Sequence, residues 1–167
     1  SQVSTRVQRF IPTDLSKIAR EVIGDLETVI ADEGGRVEIG ELPVIEADPL
    51  LMRQLLQNLV GNAIKYRKKE EPPVVRLSGS LAGGRQWRIT VTDNGIGFNE
   101  LYAEKIFKMF ERLHGKGEYK GSGIGLAICR KIAERHGGTI AATGTIGKGA
   151  TFTITLPAKQ ATSGQPS

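Results

Sequence analysis

The chain has 167 residues, 39% of them hydrophobic, which is the length of one domain with a single sizeable core. Lysine and arginine outnumber aspartate and glutamate by 23 to 18, but they are scattered and lack interleaved aromatics, which argues against a nucleic-acid partner. The lone Cys129 sits in an apolar run and reads as core filler; it excludes a disulfide or cysteine metal cluster and fits a reducing, cytoplasmic compartment. No apolar run approaches the roughly 20 residues that span a bilayer, and Ser1 opens no signal-peptide pattern, so the parent protein is left open as soluble or membrane-anchored.

Residues 1–9 are polar. Pro12 and Asp14 then stand as helix-start signals before apolar residues at Leu15, Ile18, Ala19, Val22, Ile23, Leu26 and Ile30, which predict one long helix stopped by Gly34-Gly35. Residues 37–39 and 44–47 are short apolar runs flanking Pro43 and predict a hairpin. Asp48-Pro49 supplies an N-cap and a first-turn proline for a second helix, whose stripe is Leu51, Leu55, Leu56, Leu59, Val60, Ala63 and Ile64. Residues 74–81 and 87–92 alternate as paired strands joined at Gly83-Gly84. A short helical stretch is expected over 102–110, a third helix to about Arg135 with Gly137-Gly138 as its stop, and a last strand pair over 139–143 and 151–156. Residues 158–167 read as a disordered tail. This order of elements predicts an α/β (α+β) sandwich: one mixed, largely antiparallel sheet with helices packed on one face.

Three segments carry chemistry. On the second helix Gln54, Asn58, Asn62, Lys65 and Tyr66 recur every three or four residues and share one polar face. Such a face needs no function, yet two mid-helix asparagines lower helix propensity, and an amide oxygen is a hard ligand suited to a magnesium ion that already carries phosphate oxygens. Asp93-Asn94-Gly95-Ile96-Gly97 places a carboxylate at a strand end. It reads equally as an ordinary positive-φ turn or as a purine reader whose glycines admit a base. Gly121-Ser122-Gly123-Ile124-Gly125-Leu126 feeds a helix, the arrangement in which backbone N–H groups accept phosphate oxygens, without the P-loop or dinucleotide fingerprint. The preceding 111–120 reads as a flexible lid or as a plain surface loop.

In this order the segments resemble the ATPase family shared by sensor histidine kinases, type II topoisomerases, MutL repair proteins and the ninety-kilodalton heat-shock chaperone. The stretch 57–66 resembles the N box, Asp93-x-Gly95-x-Gly97 the first glycine box, Ile106-Phe107-x-x-Phe110 the F box, and Gly121-x-Gly123-x-Gly125-Leu126 the second glycine box. The paired asparagines, the Lys-Tyr that follows and the F box favour the histidine-kinase branch, nearest to phytochrome-type and PAS-linked sensor kinases. No water-activating glutamate stands at Asn58, so slow hydrolysis is expected.

The resemblance implies ATP and Mg²⁺ in a pocket between helices and sheet. Asn62, with Asn58, would hold the metal. Asn58, Lys65 and Arg112 would serve phosphoryl transfer, with Lys116 or Lys120 assisting. Tyr66, Asp93, Gly95, Ile96 and Gly97 would contact the nucleotide, and Lys120, Gly121, Ser122, Gly123, Ile124, Gly125 and Leu126 its phosphates. The acceptor would be a histidine on a separate dimerisation domain, with 1–9 as the end of its helix or a linker, and a response-regulator receiver domain would follow. His114 and His136 are both followed by glycine rather than an acid, so neither fits the acceptor. The 167 residues are expected to be monomeric within a homodimeric parent, with 10–157 as the catalytic domain. Same-fold alternatives are a slow ATPase, a serine kinase or a non-catalytic nucleotide-binding module.

Overall fold

The computed structural model describes residues 9–108 and 124–160. Five strands form one sheet in the order β2 (Arg36–Ile39), β4 (Val74–Leu81), β5 (Gln86–Asp93), β7 (Gly149–Pro157), β6 (Thr139–Thr145). The β2–β4 pair is parallel and the others are antiparallel. Alternation buries Val75, Leu77, Ile89, Val91, Ile140, Phe152 and Ile154 on one face and leaves Arg76, Arg88 and Thr92 exposed on the other. The helices α1 (Leu15–Asp25), α3 (Pro49–Lys65) and α4 (Ile124–Arg135) cover the apolar face, as expected for the sandwich.

The expected long first helix is two. It breaks at Leu26 (φ −99°, ψ 10°), after the weak helix formers Gly24 and Asp25, and restarts as α2 (Glu27–Asp32). The apolar stripe hid the break because Leu26 and Ile30 still pack on the core. Gly34-Gly35 ends α2 as read: Gly34 takes φ 66°, and the Gly34 and Gly35 amides donate to Ala31 and Ile30.

The expected hairpin does not form. Val44–Ala47 (β3) pairs instead with a strand not foreseen, β1 (Ile11–Asp14), in a separate two-stranded sheet, while β2 stays beside β4. The Gly40 amide holds β2 to Leu77, and the Pro43 carbonyl is drawn to the Leu15 amide at the start of α1, so the link between them leaves the main sheet. Pro12, read as a helix-start signal, lies within β1, while Asp14 does cap α1, accepting from Ser16 and Lys17. Between Asn99 and Lys108 the expected helical stretch is two single 3₁₀ turns, Glu100–Tyr102 and Lys105–Phe107; Phe110 lies outside the described residues.

The tail expected from Ala158 is held for its first three residues. Ala158 donates to Arg85 O and its carbonyl accepts from Glu46 N, while the Gln160 amide donates to Glu46 Oε1 at 2.8 Å and its side chain to His136 O at 2.7 Å. These bonds continue the edge of β3, a long-range pairing that no local pattern reveals. Cys129 is fully buried between α3 and α4, and burial pushes its thiol up to about 12, an inert filler as read.

Candidate functional site

The site grows from the end of β5. Asp93 is half-buried there, with Oδ1 accepting from Gly95 N at 2.8 Å and Ala150 N at 3.2 Å. Burial raises its carboxyl above the ordinary range, against the opposing pull of those two amides. The loop that follows is stitched to three neighbours. Asn94 accepts from Val74 N at 2.9 Å and donates to Pro72 O at 3.1 Å; Ile96 donates to Tyr66 O, the C-cap of α3; and Gly147 donates to Ile96 O.

The two glycines of this loop serve different ends. A Cβ on Gly95 would lie 2.4 Å from Tyr66 O. Gly97 adopts φ 67°, and a Cβ there would meet Thr145 O at 2.0 Å. Both are thus required by protein backbone; the positive φ of Gly97 agrees with the turn, one of the two readings the sequence leaves open for this segment.

Asn62 and Tyr66, at the end of α3, face Asp93, Ile96 and Gly97 across a narrow cleft of about 50 Å³. Leu126 of α4 lines it too. Phe98, Ala150 and Phe152 complete its wall and were missed by the sequence reading; strand alternation places Phe152 on the core face of β7, and Phe98 follows the glycine box directly. Phe107 of the F box packs edge-on against Phe152, with centroids 6.1 Å apart, and carries the Arg130 guanidinium 4.3 Å above its ring.

Other expected site residues stand apart. Asn58 lines a neighbouring depression with Gln54 and Gln57, its Nδ2 3.5 Å from Gly125 O. Lys65 is exposed, its Nζ 5.5 Å from the Tyr66 ring centroid, beside a different depression bordered by Glu33 and Arg67. Gly125 sits against Asn58 in the first turn of α4, the helix that Ile124 begins. Arg112, Lys116, Lys120, Gly121, Ser122 and Gly123, with the proposed lid and His114, lie outside the described residues.

Among the described residues no cluster of three or more His, Cys, Asp or Glu side chains could hold a metal by itself. The Asn62 amide makes no hydrogen bond to a described residue and lines the cleft, so the donor set fits an ion that arrives already ligated by phosphate and water. A carboxylate with one oxygen left to accept, set in an apolar wall, fits a flat ring carrying an amino donor.

His136 belongs to another place. It is fully buried at the end of α4, its Nδ1 2.8 Å from Ile132 O and its Nε2 accepting from Asp48 N at 3.1 Å, so the ring is neutral with its proton on Nδ1. Burial, with Arg135 beside it, holds its pKa below the ordinary 6.5, against Ile132 O and Asp48. The unfolded chain therefore takes up a proton that the folded chain refuses, and stability falls as pH drops below about 6.5. Thermal unfolding from pH 7.5 to 5 should show this loss in the native chain and a shallower one in His136→Gln; parallel profiles would refute it. Asp93, whose pKa is raised, contributes in the opposite direction in both proteins.

Residues 47–160 match the family described as the histidine kinase-, DNA gyrase B-, and HSP90-like ATPase. The chain belongs to this ATPase family. The chain is 40% identical over 157 residues to cyanobacterial phytochrome A of Nostoc sp. (strain PCC 7120), covering 94% of the chain and 20% of that protein. It thus spans about a fifth of the length of that curated relative. Its fold matches full-length ShkA, solved in complex with AMPPNP, with TM-score 0.80 and 29% identity over 93% of this chain and 32% of that one. It also matches histidine kinase ThkA, solved in complex with the response regulator TrrA, with TM-score 0.74 and 28% identity over 94% of this chain and 44% of that one. The cleft lies between the N box and the first glycine box, and His136, sealed in the core, has no nitrogen left to accept a phosphoryl group.

Proposed function

We propose that this domain is the ATP-binding catalytic domain of a two-component sensor histidine kinase, donating the γ-phosphoryl group of Mg-ATP to a histidine on a separate dimerisation domain. The observation that carries the reading is Asp93: one carboxylate oxygen is locked by two backbone amides and the other is left to accept, inside an apolar cleft that also holds Asn62. Asp93 would accept from the adenine amino group, while Phe98, Phe152 and Leu126 exclude water from the base. Asn62, assisted by Asn58, would hold Mg²⁺, which when bound neutralises charge on the triphosphate. Lys65, Tyr66, Arg112, Lys120 and the glycines at 121, 123 and 125 would contact the nucleotide. Asn58 offers no base where a water-activating glutamate would stand, which supports slow hydrolysis.

In this reading 10–157 form the catalytic domain of a cytoplasmic module, 1–9 lead from the dimerisation helices of a homodimeric parent, and the phosphoryl group passes on to a receiver domain. Likeness to a kinase solved with its response regulator supports that order of partners. Incubated with γ-labelled ATP, Mg²⁺ and the acceptor domain, the chain should label the acceptor within minutes; alone it should release phosphate slowly. Rapid phosphate release without the acceptor, or no labelling with it, would sink the kinase reading.

A further inference from the structure

Asp48 caps α3, its Oδ1 accepting from Leu50 N at 3.0 Å and Leu51 N at 3.2 Å, while its own N–H donates to His136 Nε2 at the far end of α4. Further along, Leu55 O lies 3.9 Å from Cys129 Sγ, and Asn58 Nδ2 lies 3.5 Å from Gly125 O. Contacts that advance along α3 while retreating along α4 make the two helices antiparallel. The shortest of these polar links is the one remote from the cleft that Asn62, Tyr66 and Leu126 line. Phe10, its ring centroid 5.0 Å from that of His136, and Gln160, bonded to the His136 carbonyl, pack the clasp from the segments at either end of the fold.

We propose that His136 is a positioning residue for nucleotide binding: by clasping the N-cap of α3 to the C-terminus of α4 it sets the angle between the helices and hence the span of the cleft. The proposal rests on the reading that the cleft takes the nucleotide. About 21 Å of helix separates Asp48 from Asn62, so a change of about 5° at the clasp moves Asn62 by about 2 Å, more than a metal–phosphate contact tolerates. The ring suits the task because one nitrogen accepts from Asp48 while the other is anchored on α4 itself.

The test compares two substitutions that differ in reach. Glutamine at this position brings a carbonyl oxygen to the Asp48 amide, whereas asparagine is too short. Binding of Mg-AMPPNP by calorimetry should stay within about threefold of native for His136→Gln and weaken about tenfold for His136→Asn, with folding of both checked by circular dichroism. A second measurement needs no substitution: because coupling is reciprocal, saturating Mg-AMPPNP should slow hydrogen exchange at the Asp48 amide in the native chain. Equal native-like affinity in both variants, or an Asp48 amide indifferent to nucleotide, overturns the proposal. A native chain that binds no Mg-AMPPNP overturns instead the reading of the cleft.

Discussion

Asp93→Asn is expected to abolish nucleotide binding while the chain stays folded and melts no lower than the native protein. The substitution is nearly isosteric. The Asn Oδ1 still accepts from Gly95 and Ala150, so the loop keeps its stitching. What changes is the other position, where an acceptor becomes an N–H₂ donor and would confront the donor of an amino-purine. A charge-assisted bond is lost and two donors are forced together in an apolar wall, which should cost on the order of 3 kcal/mol or more, at least a hundredfold in affinity. Stability moves the other way. Burial raises the Asp93 pKa, so holding it ionised at neutral pH opposes folding, and a neutral amide removes that cost. Calorimetry for binding and thermal unfolding for stability check both halves; unchanged affinity would defeat the adenine assignment. In the native chain, binding should also weaken on acidification from a higher pH than an ordinary carboxylate would dictate, because the protonated acid no longer accepts.

The largest loss of stability is expected from Gly97→Ala. The residue adopts φ 67°, which costs a side-chain-bearing residue about 1–2 kcal/mol. A Cβ there would also lie 2.0 Å from Thr145 O and 2.9 Å from Gly149 O, both backbone atoms of the β6–β7 turn. The turn cannot yield freely, because the Gly147 amide is bonded to Ile96 O and its carbonyl accepts from Lys68. The sum is expected near 3–5 kcal/mol, a melting temperature lower by about 10 °C. Gly84→Ala separates the two causes, since Gly84 also has positive φ (55°) but nothing within 4 Å of a Cβ. It should cost about 1 kcal/mol. Equal losses in the two variants under urea unfolding would show that the approach to Thr145 is not what requires glycine.

Much of the fold was legible where neighbours in sequence decide it. The α3 helix follows from Asp48, Pro49 and a leucine stripe, and the β4–β5 pair from alternation around Gly83-Gly84. The stops of α2 and α4 follow from glycine pairs whose first members, Gly34 and Gly137, take the left-handed conformation. Other features were hidden. The β1–β3 pair and the parallel β2–β4 pair depend on which distant strand offers a free edge, and a four-residue run such as Val44–Ala47 carries no label of its partner. The tail residues 158–160 looked loose because their bonds run to Arg85, Glu46 and His136, all far away in sequence.

The site divides in the same way. The sequence by itself determined which chemistry is present: two asparagines on one helix face, a carboxylate at a strand end, and glycines on either side, residue types whose hydrogen-bonding character does not depend on the fold. Only the tertiary structure decided how they are used. It brought Asn62, Tyr66 and Asp93 to one cleft and set Asn58 and Lys65 beside it. It also gave Gly95 and Gly97 a steric reason and sealed His136 into a clasp between two helices. Donor and acceptor identity is a property of each residue, whereas burial, orientation and close approach arise from contacts between segments that local sequence does not encode.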